Sequence, residues 1–118
     1  MRREIVKQIT AIIRPEKFQD VKKAMTDAGV KGMTITEVKG RGNQKGIKLQ
    51  SRGGSYEIEF LEKIQIMTVV HDEIVDSVVN AIIFSAKTDR GPGDGKIFVS
   101  PVDEVIRIRT GEINAGSL

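Results

Sequence analysis

Apolar residues recur along the chain with strand and helix periods, and these periods first predict a strand–helix–strand unit. The opening apolar stretch, residues 5–14, is rich in β-branched residues and predicts a strand. Apolar positions at helical spacing then predict a helix over 18–28, between Pro15, which suits a first turn, and Gly29, which suits a helix end. Alternation over 33–38 predicts the second strand.

A second unit of the same plan follows. Apolar residues of one parity from Tyr56 to Val70 predict a long third strand. Asp72 is expected to be the N-cap of a helix that carries an apolar stripe as far as Ala86. A glycine-rich turn over 91–95 is expected to end this helix, and residues 96–99 predict the fourth strand.

The repeated strand–helix–strand order predicts an α+β fold of the ferredoxin-like, split βαβ-βαβ type. Its four-stranded antiparallel sheet carries two helices on one face, and a long loop joins strands 2 and 3. Strand parity alone does not decide whether Thr10, Ile12, Met67 and Val69 point towards the helices or away from them. An apolar sheet face without helices would favour self-association into a closed oligomer.

Composition narrows the classes of function. The 118 residues suit a single domain over 1–118, with 39% hydrophobic and 30% charged residues, as in a globular protein. Cysteine is absent and His71 is the one histidine, which excludes disulfides, thiolate chemistry and a histidine-rich metal cluster. No apolar run approaches the roughly 20 residues that span a bilayer, and the expected location is the cytoplasm.

The net charge of +3 is mild, but its distribution is uneven. Five basic residues fall between Glu37 and Glu57 without an intervening acid: Lys39, Arg41, Lys45, Lys48 and Arg52. Glycines are frequent in the same stretch, so we expect a flexible loop without regular structure over about 42–59. Its charge suits either a solvated surface or a site for an anion or a partner. The polar tail, about 111–118, is expected to be frayed.

Three clusters have residue types that suit a polyanion. The turn Gly91-Pro92-Gly93-Asp94-Gly95-Lys96 has glycines that let backbone amides approach a phosphate, with a lysine beside them, although the spacing is not that of a P-loop. A short strand over 105–109 would place Arg107 and Arg109 on one face. In the third cluster, Gln44 could ligate a hard cation and Lys63 could pair with a carboxylate.

Each cluster also has an ordinary structural explanation, as a tight turn, a solvated edge strand or an exposed lysine. Together they favour a small polyanion-binding regulatory module, because no activated nucleophile or matched acid–base pair accompanies them. A nucleic-acid-binding module with a basic loop and a small ferredoxin-like acyl-phosphate hydrolase remain the alternatives.

Read as whole strings, five stretches of the chain closely resemble the PII signal-transduction proteins of nitrogen metabolism. They are residues 11–15, 32–42, 44–46, 93–99 and 105–112. The resemblance spans nearly the whole chain, and it implies a regulatory protein rather than an enzyme. It implies a homotrimer that binds ATP or ADP between subunits and 2-oxoglutarate through Mg²⁺-ATP.

The resemblance also implies that the loop over 42–59 docks onto the ammonium transporter or onto enzymes of nitrogen assimilation. Contact with a membrane would then be indirect, through the transporter, and nucleic acid would not be a partner.

The same resemblance assigns roles residue by residue. Nucleotide would be bound by Ile12, Gly32, Met33, Thr34, Gly40, Arg41, Gly42, Val69, Thr88, Gly93, Asp94, Gly95, Lys96, Arg107 and Arg109. 2-Oxoglutarate would be bound by Gln44, Lys45, Gly46 and Lys63, with Gln44 also holding Mg²⁺.

Some positions depart from the family pattern. Tyr56 matches a position that is nucleotidylylated in some members, whereas Ser51 does not match its usual companion. Asn43 stands where many members carry Arg, and Met67 stands where an acidic residue is common. The turn before Gly93 is one residue longer than usual.

Overall fold

Four antiparallel strands form the main sheet of the protein, and two helices pack on one of its faces. The computed structural model describes residues 5–41, 47–51, 54–58, 60–113 and 118. Its strands are β1 (Val6–Ile13), β2 (Thr34–Gly40), β3 (Ile47–Ser51), β4 (Gly54–Ile58), β5 (Leu61–His71) and β6 (Gly95–Val102). Its helices are α1 (Phe18–Asp27) and α2 (Val75–Ala86), each preceded by a short 3₁₀ turn, Pro15–Lys17 and Asp72–Ile74.

The main sheet has the strand order β2-β5-β1-β6, with every neighbouring pair antiparallel. The two central strands, β1 and β5, belong to different strand–helix–strand units, so the units interlock rather than lie side by side. This is the split βαβ arrangement, and it confirms the predicted α+β, ferredoxin-like fold. The register places Ile13, at the end of β1, opposite Gly95, at the start of β6.

The core lies between the sheet and the helices. Alternate residues of β1 and β5 face the helices, and each helix has an apolar stripe that faces the sheet. The fully or nearly fully buried members of this core are Ile9, Ala11, Ile13, Val21, Met25, Ile66, Val70, Val78 and Ile82. Thr10, Ile12, Met67 and Val69 alternate with these positions, so they lie on the sheet face away from the helices, where they are half-buried.

The start and end of the first helix agree with the residues that predicted them, whereas the start of the second helix does not. Pro15 opens a 3₁₀ turn before α1, and Gly29 takes a φ of 108° just after it, as expected. The prediction that Asp72 caps the second helix is wrong. Asp72 begins the 3₁₀ turn, makes no capping hydrogen bond and pairs with Lys7 Nζ at 2.8 Å, whereas α2 begins at Val75.

The segment predicted as an irregular loop contains two short strands. β3 and β4 pair antiparallel, with Leu49 opposite Tyr56, and β4 is separate from β5 rather than its continuation. The expectation that residues 42–59 hold no regular element is therefore wrong. Apolar and polar residues alternate over 47–51 and 54–58, but each run is only five residues long and is flanked by glycines and basic residues.

The predicted strand over 105–109 is also wrong. Ile106 forms a single bridge with Ile113, and a turn over 108–110 follows it. Gly111, with a φ of 73°, closes this turn by donating its N–H to Arg107 O at 2.7 Å. Arg107 and Arg109 are therefore not neighbours on a strand face. Half of the predicted frayed tail, residues 114–117, lies outside the described residues.

Across the parts of the chain that the structure describes, neither helix has the length and apolarity needed to cross a membrane.

Replacing Gly95 by Ala should destabilise the fold by at least about 2 kcal/mol. Gly95 has a φ of 116°, and an added Cβ would lie 1.8 Å from Ile12 O, which is fixed backbone of β1. Urea unfolding monitored by circular dichroism measures the effect.

Gly32→Ala is the matched control, because Gly32 does not have a positive φ and a Cβ there would meet no described atom within 4 Å beyond its chain neighbours. Equal stability of the two variants would contradict the close approach of β6 to β1.

Candidate functional site

The candidate site is built around the turn that leads from α2 into β6, here named the glycine turn (residues 91–96). Gly91, Gly93 and Gly95 have φ angles of 78°, 104° and 116°, values that non-glycine residues rarely adopt. A backbone of this kind can direct successive N–H groups towards one side of a turn, as in anion-binding nests.

Asp94 anchors the glycine turn through three hydrogen bonds. Its carboxylate accepts from the Thr88 backbone N–H at 2.9 Å, from the Thr88 hydroxyl at 2.5 Å and from Arg14 Nε at 3.1 Å. The Thr88 hydrogen bonds, helped by the charge of Arg14, lower the pKa of Asp94 to about 2. The carboxylate is therefore ionised and engaged on the side of the turn that faces β1.

Arg14 holds the same turn at a second point. Its Nη2 donates to Pro92 O at 3.0 Å while its Nε binds Asp94, and its side chain is only 14% exposed. Arg14 directly follows β1, so the register of β1 with β6 brings this guanidinium to the turn.

Lys63 reaches the turn from β5. Its side chain is buried, with 8% exposure, and its Nζ donates to Gly93 O at 2.8 Å. Burial lowers the pKa of Lys63, and the positive charge of Arg14 lowers it further, against the opposing charges of Glu16 and Asp94. A lysine in this environment would be stabilised by an additional negative charge.

An outer ion pair joins the turn region to the start of α1. Arg90 Nη2 binds Glu16 Oε2 at 3.0 Å, with both side chains about half exposed. Hydrogen bonds, first to its own backbone N–H and then from Arg90, lower the pKa of Glu16. A pair as exposed as this contributes little to stability.

A cavity of about 500 Å³, named here the turn cavity, opens beside the glycine turn. It is lined by Ile12, Gly40, Arg41, Lys63, residues 91–96 and Phe98. Among the described residues that line it, three side chains are cationic, and the single acid, Asp94, is already bound by Thr88 and Arg14. Ile12 and the half-exposed Phe98 add an apolar wall. This lining suits an anion that also carries an apolar or aromatic part.

The turn cavity gathers many of the residues singled out from the sequence. They are Ile12, Gly40, Arg41, Lys63, Gly93, Asp94, Gly95 and Lys96. Thr88 does not line the cavity, but it is hydrogen-bonded to Asp94, which does.

Other candidate residues are not among those that line the cavity. Gly32, Met33, Thr34 and Val69 lie at the β2–β5 side of the sheet, where Gly32 O accepts from the Thr68 hydroxyl at 2.6 Å. Arg107 and Arg109 lie in the C-terminal segment, where Arg107 pairs with Glu112. Gly42, Gln44, Lys45 and Gly46 fall outside the described residues, as does the side chain of Tyr56.

Sequence reasoning missed three contributors: Arg14, Pro92 as an acceptor, and Phe98. The signal that could have found Arg14 is topological. A split βαβ sheet places β1 beside the last strand in antiparallel register, so a basic residue ending β1 must meet the turn that begins the last strand.

Comparison with known proteins agrees with the fold. The family model described as "Nitrogen regulatory protein P-II" matches residues 6–112. A protein named Nitrogen regulatory protein P-II 2, from Methanothermobacter thermautotrophicus, is 58% identical over 107 residues, covering 91% of this chain and 92% of that protein.

Two bacterial proteins named Nitrogen regulatory protein P-II are similar to this chain to nearly the same degree. That of Nostoc punctiforme is 53% identical over 109 residues, covering 92% of this chain and 96% of its own length. That of Cereibacter sphaeroides is 50% identical over 107 residues, covering 91% and 95%. These matches confirm the resemblance seen in the sequence. The chain therefore belongs to the nitrogen regulatory protein P-II family and is a regulatory protein rather than an enzyme.

Proposed function

We propose that the protein senses ATP or ADP together with 2-oxoglutarate, and that it reports their levels to proteins of nitrogen assimilation. The observation that supports this most directly is the turn cavity, in which a glycine turn and three cationic side chains surround one space. The rest of the proposal follows from what each part of that lining can bind.

The phosphates of the nucleotide would lie against the glycine turn. Within the described part of the chain, no side chain pairs with the Lys96 ammonium, which is exposed at the cavity edge. Arg41 lines the same cavity. Several positive charges together with backbone N–H groups from a turn are the usual surroundings of a bound polyphosphate. Ile12 and Phe98 would contact the apolar surface of the base.

2-Oxoglutarate would bind next to the phosphates through Lys63. An ammonium has three donors, and Gly93 O accepts one of them, so Lys63 can bind a carboxylate and keep its bond to the turn. Burial gives this interaction weight, because a buried lysine gains more from an added anion than an exposed one. The ligand would then be joined to the glycine turn through a single side chain.

Mg²⁺ would be held by phosphate oxygens and by the carbonyl oxygen of Gln44, as the family resemblance implies. Such oxygen ligands are those that Mg²⁺ prefers, and it commonly binds through substrate phosphates rather than through a cage of carboxylates. The described residues contain no group of three or more His, Cys, Asp or Glu side chains that could hold a metal ion.

A homotrimer would complete the site. The sheet face away from the helices is half-buried and partly apolar, and Phe98 on it is 53% exposed. Ile108, in the C-terminal segment, is fully exposed. Burying such surfaces against neighbouring copies is favourable. Gly32, Met33 and Thr34, or Arg107 and Arg109, could then reach the turn cavity of an adjacent subunit.

The segment over 42–59 would carry the signal to a target such as the ammonium transporter or a nitrogen-assimilation enzyme in the cytoplasm. Gly40 and Arg41 line the turn cavity and directly precede this segment. A ligand changes the conformation of the segment only as far as it binds one conformation more tightly than another. Contacts at Arg41 would supply that difference.

Replacing Lys96 by Gln should weaken ATP binding by at least about tenfold, since charge-assisted hydrogen bonds to phosphate contribute about 1.5–3 kcal/mol. Isothermal titration calorimetry of the full chain with ATP measures this. Lys22→Gln removes the same charge from an exposed position of α1 that does not line the cavity, and it should leave the affinity unchanged. Equal ATP affinity of the two variants would contradict the site.

Replacing Lys63 by Met should weaken 2-oxoglutarate binding at saturating Mg²⁺-ATP by at least about tenfold. Met has an unbranched side chain that can fill the buried space, so the loss would reflect the missing ammonium rather than a cavity. Calorimetric titration of 2-oxoglutarate into the ATP-loaded protein is the measurement. Undiminished 2-oxoglutarate affinity, in a variant that still binds ATP, would remove Lys63 from the effector site.

A further inference from the structure

Arg14 lies in an unusual position relative to the turn cavity. It is not among the residues that line the cavity, yet it binds two residues that do. Nε contacts the Asp94 carboxylate at 3.1 Å, and Nη2 contacts Pro92 O at 3.0 Å. One planar guanidinium thus holds two separate points of the glycine turn, and its side chain is 14% exposed.

A turn with three positive-φ glycines needs such support. Glycine has the largest backbone freedom of any residue, so holding three glycines in one positive-φ conformation is entropically costly. Thr88 holds the turn only at Asp94, and Lys63 holds it at Gly93 O. Arg14 binds both Asp94 and Pro92 O, and so it links these two positions of the turn.

Arg90, in the same segment between α2 and β6, is a second arginine with which Arg14 can be compared. Its guanidinium pairs with Glu16 at 3.0 Å, but both side chains are about half exposed, and neither lines the turn cavity. The Arg90–Glu16 distance is similar to the two distances that Arg14 makes. Arg90 is much more exposed than Arg14, however, and its partner Glu16 lies outside the glycine turn. An exposed pair of this kind contributes about 0–1 kcal/mol.

We propose that Arg14 is a positioning residue that preorganises the glycine turn for the phosphates of its ligand. The inference rests on the proposed nucleotide site, since it concerns how that site is held ready. Without Arg14 the turn would have to be ordered when the ligand binds, and the cost would appear as lower affinity. Asp94 would also keep more of its negative charge unbalanced next to the phosphates.

The test compares ATP binding by calorimetry in the full chain and in the variants Arg14→Gln, Arg14→Lys and Arg90→Gln. Arg14→Gln should bind ATP at least about tenfold more weakly, whereas Arg90→Gln should change affinity less than about threefold. Arg14→Lys keeps the charge but loses the fork that reaches two acceptors, so positioning predicts an affinity close to that of Arg14→Gln. Full rescue by lysine would overturn the proposal in favour of a charge effect.

Hydrogen–deuterium exchange without ligand gives a readout that is independent of nucleotide. In Arg14→Gln the amides over 88–96 should exchange faster while the core of β1 and β5 keeps its protection. Unchanged exchange over 88–96 would overturn the proposal even if ATP affinity fell. If the unaltered protein does not bind ATP, the proposed function fails, and the exchange result still decides whether Arg14 holds the turn.

A double-mutant cycle separates positioning from direct contact. If Arg14 acts through Asp94, the affinity losses of Arg14→Gln and Asp94→Asn should be clearly less than additive. Additive losses would indicate that Arg14 touches the ligand itself, and they would overturn the positioning role.

Discussion

The antiparallel pairing of β1 with β6 is the constraint on which the candidate site depends. It places Ile13 opposite Gly95 and so brings Arg14 against the turn that precedes β6. Because an added Cβ at Gly95 would overlap Ile12 O, only glycine permits this approach of the two strands. The geometry of the candidate site is thus set first by backbone packing and then by side-chain charge.

The negative charge of Asp94 in the glycine turn is already balanced by neighbouring groups of the protein. Asp94 accepts hydrogen bonds from Thr88 and Arg14, and its pKa is lowered to about 2. Its carboxylate is therefore charged at neutral pH, and that charge interacts with groups of the protein itself. Lys63 is in the opposite situation, since burial disfavours its charge and Gly93 O offers only a dipole. The turn therefore has a satisfied anion and an incompletely balanced cation, an arrangement that favours binding of a further anion.

Periodicity was enough to predict the α+β fold, since the apolar faces of β1, β5 and both helices follow simple spacing. It did not predict that Asp72 starts a 3₁₀ turn, because Lys7 competes for its carboxylate from a strand 65 positions earlier in the chain. It missed β3 and β4, whose short alternation is obscured by lysines and glycines. It also missed the role of Arg14, because a contact across 80 positions depends on sheet topology, which local pattern does not specify.

The most direct test of the account is where ATP binds on the chain. A titration of ¹⁵N-labelled protein with ATP, followed by amide chemical shifts, reports this residue by residue. We expect the largest shifts at Gly91, Gly93, Gly95 and Lys96, with further shifts at Gly40 and Arg41. Saturable shifts confined to the outer surfaces of α1 and α2, with the glycine turn unaffected, would contradict it.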